Sequence, residues 1–84
     1  MSQEDLPPSE KLLLAMHNLC AVRSQQAITV EEISRAVHVV FEEAKRILGG
    51  HVESGLVERY TDEAGATKYY LTGKGIIKVC SSFT

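Results

Sequence analysis

The sequence has no tryptophan, two cysteines, a single pair of adjacent prolines (Pro7 and Pro8) and no surplus of positive charge. It also lacks any long hydrophobic run. The longest apolar cluster, Leu12 to Met16, is five residues, against the roughly 20 needed to cross a bilayer. The opening MSQEDLPPSE is acidic and polar, not the basic-then-apolar order of a secretory signal. The expectation is an intracellular, cytoplasmic chain with no membrane contact. Cys20 and Cys80 form no C-x-x-C pair, and in a reducing compartment they are expected as small buried hydrophobes. A disulfide between the first and last helices is the alternative, which spacing alone does not decide. His17 and Cys20 stand three apart, while His38, His51 and Cys80 lie elsewhere, so no zinc-ligand spacing exists and no metal is expected. No nucleophile sits in a recognisable Ser/His/Asp or Cys/His arrangement, and no glycine-rich loop joins a strand to a helix. The expectation is a non-enzyme without a cofactor. Eighty-four residues are also too few to enclose a conventional pocket, so no small-molecule substrate is expected.

Charge argues in two directions. Nine Lys and Arg against eleven Asp and Glu give a formal −2, where nucleic-acid binders more often carry a basic surplus. The acids are unevenly placed. Residues 1–10 hold Glu4, Asp5 and Glu10 with no cation, and the other 74 residues sum to +1. Non-specific affinity for DNA is therefore expected to be weak, because neutralisation of phosphates supplies most of it.

The chain reads as one small domain, residues 9–84, behind a tail over 1–8 that carries no patterned apolar stretch. Ser9 is placed to cap a helix from Glu10 to about Arg23, with Leu12, Leu13, Met16, Leu19 and Cys20 as its core stripe. Leu14 and Ala21 widen that arc. They serve either a central beam touched on several sides or a dimer interface. Thr29 and Glu32 form a capping box for a second helix, whose apolar face is Val30, Ile33 and Val37. The pattern slips over His38–Val40 and restarts at Phe41, with Ala44, Ile47, Leu48 and Val52 as a third stripe ending at a left-handed Gly55. Gly49-Gly50 inside that helix predicts a kink, fraying, close approach of another backbone or DNA, or an early stop. Beyond Gly55 the period becomes two: Leu56 to Thr61, a turn at Asp62–Gly65, and a returning strand from Thr67 to Leu71. Tyr60, Tyr69 and Tyr70 are expected to pack under this hairpin. Ala27-Ile28 reads as a short strand beside it, and Thr72 as the cap of a last short helix.

Helix, tight turn, helix and hairpin, with Gly55-Leu56-Val57 before the hairpin and Leu71-Thr72-Gly73-Lys74-Gly75 after it, resemble winged-helix regulators of the MarR, ArsR and PadR kind. The resemblance runs from about Ser9 to Val79. It implies an α+β fold, a winged helix-turn-helix with a three-helix core, a β-hairpin wing and a short C-terminal helix. It also implies sequence-specific binding of double-stranded DNA by a transcriptional regulator. Such regulators often continue into a long dimerisation helix, and with the sequence ending at Thr84 that device is expected to be largely missing. In the resemblance His51 takes the slot of a core leucine and is expected half-buried with one ring nitrogen hydrogen-bonded.

The expected DNA-binding residues are Glu42, Lys45, Arg46 and Gly49 on the third helix and Arg59 and Lys68 on the wing. Arginine pairs bidentately with guanine, lysine reaches guanine or phosphate, and glutamate accepts from cytosine N4. The competing reading is a solvated face held by pairs such as Glu42–Arg46. The wing tip, Asp62 and Glu63, is acidic, so basic contacts would come from the strands; Lys11, Lys74 and Lys78 would add phosphate contacts only on a shared face. A homodimer on a two-fold site, joined through helix 1 and the segment around Ile76 and Ile77, would complete the interface. A winged helix used for protein contact within a larger assembly is the alternative, favoured by a pI near 5.9.

Overall fold

The computed structural model describes residues 6–83. The element order is α1 (Pro8–Asn18), a 3-10 turn (Ser24–Gln26), α2 (Val30–Val37), α3 (Phe41–Glu53), β1 (Val57–Thr61), β2 (Thr67–Leu71) and α4 (Gly73–Phe83). This is the α+β order that the sequence implies. Leu12, Leu13 and Met16 of α1, Ile33 of α2, Leu48 of α3, and Val57 and Leu71 of the hairpin are the largest fully buried side chains. One core therefore joins every long element, α4 contributing Val79 at 3% exposure.

Helix α1 starts and stops earlier than its periodicity predicts. Pro8 opens the helix, inside the segment assigned to the tail, and Pro7 is its N-cap. The Pro7 carbonyl accepts from the Glu10 and Lys11 N–H groups at 3.0 Å each, so Ser9 is not the cap. A proline suits the first helical position because its fixed φ is already helical and its missing N–H would have had no partner. Residues 1–5 of the expected tail lie outside the described residues. At the other end Leu19 is the C-cap, and Cys20 follows with φ +59°. The Cys20 N–H donates to His17 O at 3.0 Å and the Ala21 N–H to Met16 O at 2.9 Å, a Schellman closure with cysteine where glycine is usual.

That closure corrects the core stripe. Leu19 is 49% exposed and Cys20 is exposed, while Ala21, turned inward by the left-handed residue, is fully buried. Ala21 is thus core and not part of an outer interface. Cys80 is exposed as well, and no disulfide joins the two cysteines, so neither is the buried hydrophobe expected. A left-handed non-glycine residue costs about 1–2 kcal/mol. Cys20→Gly is therefore expected to raise stability by about 1 kcal/mol, read as an increased urea midpoint at constant slope. An unchanged or lowered midpoint would contradict the closure.

The capping box at α2 is present in full. The Glu32 N–H donates to Thr29 Oγ1 at 3.2 Å, and the Thr29 N–H reaches Glu32 Oε1 at 3.5 Å. His38 closes α2 in the left-handed region, φ +57°, and makes the slip between the second and third stripes a tight turn. Helix α3 then runs unbroken through Gly49 and Gly50 to Glu53. The helix does not stop early. It ends in a second Schellman closure, with Gly55 at φ +79°, its N–H on Val52 O (3.1 Å) and the Leu56 N–H on His51 O (3.0 Å). His51 is half-buried and its Nε2 lies 3.0 Å from Ser9 O, tying α3 to the start of α1.

Strands β1 and β2 pair antiparallel, Val57 with Leu71 through Thr61 with Thr67. Ile28 pairs with Tyr69 on the other side of β2: the Ile28 N–H donates to Tyr69 O at 3.0 Å and the Tyr69 N–H to Ile28 O at 2.7 Å. The expected first strand is thus a single bridged residue. Beyond Val57 every residue of β1 is exposed, because the hairpin projects past the core as a wing. Of the three tyrosines only Tyr69 is buried. Tyr60 is exposed, and Tyr70 is half-covered with its hydroxyl donating to Glu58 Oε2 at 2.9 Å. That carboxylate partner raises the Tyr70 pKa.

Candidate nucleic-acid interface

Helix α3 is fixed by what it buries. Ala44, Ile47 and Leu48 face the core, so at about 100° per residue the opposite side is the row Glu42, Arg46, Gly49 and Glu53. Glu42, Arg46 and Glu53 are exposed, and Gly49 is partly covered. Lys45 lies on the flank of that row nearest the wing, and Glu43 and Gly50 on the flank nearest α1. Of the α3 residues expected to bind DNA, Glu42, Arg46 and Gly49 therefore fall in the outward row, and Lys45 falls on its wing-side flank. Phe41, expected to restart the core stripe, is instead 40% exposed at the helix start, next to Val40 at 73%.

Lys45 and Arg46 are neighbours in sequence but look different ways. Arg46 lines a groove between α3 and the start of α1, with Glu43, Gly50, His51 and Ser9. Its guanidinium pairs with Glu43, one turn back, and not with Glu42 as the sequence suggested. The pair leaves Glu42 without an ion-pair partner among the described residues, and the Arg46 side chain 70% exposed. Lys45 lines a separate groove between α3, the start of α2 and the wing, together with Arg59, Phe41, Thr67 and Tyr69. Gly49 and Gly50 have open space where a Cβ would stand, with nothing within 4 Å. Internal packing therefore does not require either glycine.

The wing divides its charges. Arg59 stands midway along it, opposite Tyr69, with Cζ 5.9 Å from the centre of the Tyr69 ring, a cation–π contact. Lys68 is engaged at the tip, its Nζ 3.3 Å from Asp62 Oδ2. Asp62 organises that tip: its Oδ1 accepts from the N–H groups of Ala64 and Ala66, both at 2.9 Å, and Gly65 takes φ +86°. The Ala66 hydrogen bond, with Lys68 and Ala64 adding to it, lowers the Asp62 pKa despite a smaller opposing effect of desolvation. A carboxyl whose folded pKa is depressed adds stability above its unfolded pKa and loses it as pH falls through the folded value. The Ala64 and Ala66 amide resonances are accordingly expected to move together in an acid titration, with a midpoint below that of an ordinary aspartate. A midpoint at or above it would contradict the turn.

Lys11 and Lys74 stand in different surroundings. Lys74 Nζ donates to Ser54 O at 3.0 Å, satisfying the C-terminal end of α3, while Lys11 lines a groove between α1 and α2. Among the described residues no group of three His, Cys, Asp or Glu is placed to hold a metal ion, and no helix is long and apolar enough to cross a membrane.

No protein-family model and no curated protein matches the sequence. Solved structures do match. MepR, a transcription regulator of Staphylococcus aureus, superposes with a TM-score of 0.76 at 21% identity over 94% of this chain and 56% of its own. A MarR family transcriptional regulator from Silicibacter pomeroyi gives 0.75 at 23% identity, over 93% of this chain and 50% of its own. The fold is a winged helix, shared with these two structures. A putative DNA-binding protein from Ralstonia eutropha matches almost end to end, with a TM-score of 0.79 at 16% identity over 94% of this chain and 98% of its own. The winged helix here thus spans about half the length of MepR and of the Silicibacter regulator, and nearly all of the Ralstonia protein.

Proposed function

We propose that this winged helix binds double-stranded DNA through the outward row of α3 and acts as a transcriptional regulator. The observation that carries the reading is the α3 surface. A helix anchored on three sides presents Glu42, Arg46 and Gly49 outward, with two glycines that the fold itself does not need. A structure of MepR in complex with DNA, with a TM-score of 0.74 at 21% identity, shares the scaffold. In the major groove Arg46 would donate to guanine O6 and N7, and Glu42 would accept from cytosine N4. Gly49 would let the duplex approach the helix backbone.

A homodimer on a two-fold site completes this reading, because one domain this small covers only part of a specific interface. Ile77 of α4, 67% exposed beside the half-buried Ile76, is the surface that supports it. Sedimentation is expected to show a dimer that Ile77→Asp dissociates. A strict monomer at high concentration would remove the two-fold arrangement.

Gly49→Ala tests the reading at its most specific point. An alanine in a helix interior with open space around it adds about 1 kcal/mol of stability over glycine. The same methyl would stand between α3 and a base edge. The expected result is a higher melting temperature together with weaker duplex binding, measured by fluorescence anisotropy. Higher stability with unchanged binding would move the duplex off this face and favour a protein partner, as the acidic wing tip also does.

A further inference from the structure

We infer that the groove between α3 and the wing is a phosphate clamp, in which Lys45 and Arg59 grip a single phosphate group from two sides. The groove has a volume of about 510 Å³ and is walled by three separate elements: the start of α2, the first half of α3 and the wing. Lys45 enters from α3 and Arg59 from β1. Neither makes an ion pair among the described residues, whereas Arg46 is paired with Glu43 and Lys68 with Asp62. Two like charges facing one groove repel, and an anion between them removes that repulsion and replaces it with attraction. Glu31 also lines the groove, so the local charge is +1 before any ligand enters.

Arg59 is held in place for this task. It lies over the Tyr69 ring, and Tyr69 is 5% exposed with its N–H and carbonyl both bonded to Ile28. The Thr67 hydroxyl adds a neutral donor on the wing side of the groove. The Thr29 hydroxyl is not available, because it is occupied in the capping box with Glu32. Of the two contacts open to Lys45, guanine or phosphate, the clamp takes the phosphate, and it leaves the acidic residues of the wing tip, Asp62 and Glu63, out of the groove lining. It rests on the duplex reading for the source of the phosphate, a DNA backbone; free inorganic phosphate has the same chemistry and is the other source.

The test is a scan of duplex DNA carrying one neutral methylphosphonate at a time, against the full chain, Lys45→Gln, Arg59→Gln and the double variant. Wild-type binding is expected to drop at one phosphate per half-site. That same position should lose part of its effect in each single variant and fall silent in the double variant. The salt slope of the double variant should fall by about 0.9, the value for one phosphate, and not by twice that. Different sensitive positions for Lys45 and Arg59 would overturn the clamp. A parallel titration with inorganic phosphate follows the amide resonances of Phe41, Lys45, Arg59 and Thr67. Shifts there in the wild type and not in the double variant, with no duplex bound, would sink the regulator reading and keep the clamp for a free anion. No groove shift and no single sensitive phosphate would overturn it outright.

Discussion

Gly75→Ala is expected to cost about 3 kcal/mol or more, as large a loss as overpacking produces. A Cβ built on Gly75 lies 2.1 Å from Leu56 O and 3.0 Å from Leu71 Cδ2. The first of these is backbone, so no side-chain rotation relieves it. Leu56 is also fixed twice over: its N–H closes α3 on His51 O, and its carbonyl accepts from the Thr72 N–H at 3.0 Å. Thr72 binds the same junction from the other side, its hydroxyl donating to Gly55 O at 2.6 Å and accepting from the Gly75 N–H at 3.1 Å. A methyl group at Gly75 must therefore push α4 away from the α3–β1 junction and take Val79 out of the core. For a domain of this size the melting temperature should fall by about 12–24 °C, at 4–8 °C per kcal/mol. Gly49→Ala, with open space around it, is the control and should rise. Equal small effects at both positions would contradict the packing of α4.

Arg46→Ala is expected to have the largest effect on binding. If Arg46 meets guanine bidentately, its loss costs about 1–3 kcal/mol of discrimination at one base position. Stability should barely change. The side chain is mostly exposed, and its pair with Glu43 is of the surface kind that contributes little. The affinity loss should depend on sequence, large for the preferred duplex and small for an unrelated one. The clamp residues Lys45 and Arg59 should instead weaken all duplexes alike. A sequence-independent loss at Arg46 would make it a phosphate contact and leave base reading on the outward row to Glu42.

Most of the fold was legible in the chain because local signals and packing agree there. The Thr29–Glu32 box, the slip at His38–Val40, the left-handed Gly55 and the change of period after it each have one physical meaning, and the structure honours all of them. The ends of α1 were not legible. Periodicity carries on through Leu19 and Cys20, and only a left-handed turn at a cysteine, which propensity disfavours, brings Ala21 inward. Phe41 and Tyr60 misled for the opposite reason: large apolar residues read as core, yet the first lies at a helix start and the second on a wing that projects beyond it. Gly75 was visible as part of a phrase, but its reason, a carbonyl 19 residues earlier in sequence, is tertiary.

The candidate site was legible as a set and not as an arrangement. The buried face of α3 dictates its outward row, so Glu42, Arg46 and Gly49 follow from spacing alone. Which cation pairs with which acid does not. Glu42 and Glu43 are both within reach of Arg46, and rotamers decide for Glu43. Lys68 is taken by Asp62 because β-pairing sets Lys68 near the turn. That Lys45 and Arg59 line one groove depends on where the wing stands relative to α3, and no local pattern announces it.

Selection from a pool of random duplexes at two salt concentrations, with the wild type and Arg46→Ala side by side, tests the central claim most directly. The account predicts one enriched motif for the wild type that persists at the higher salt, containing a guanine whose preference disappears in the variant. No enriched motif, with weak binding that vanishes at moderate salt, would contradict it and leave the outward row of α3 as a surface for another protein.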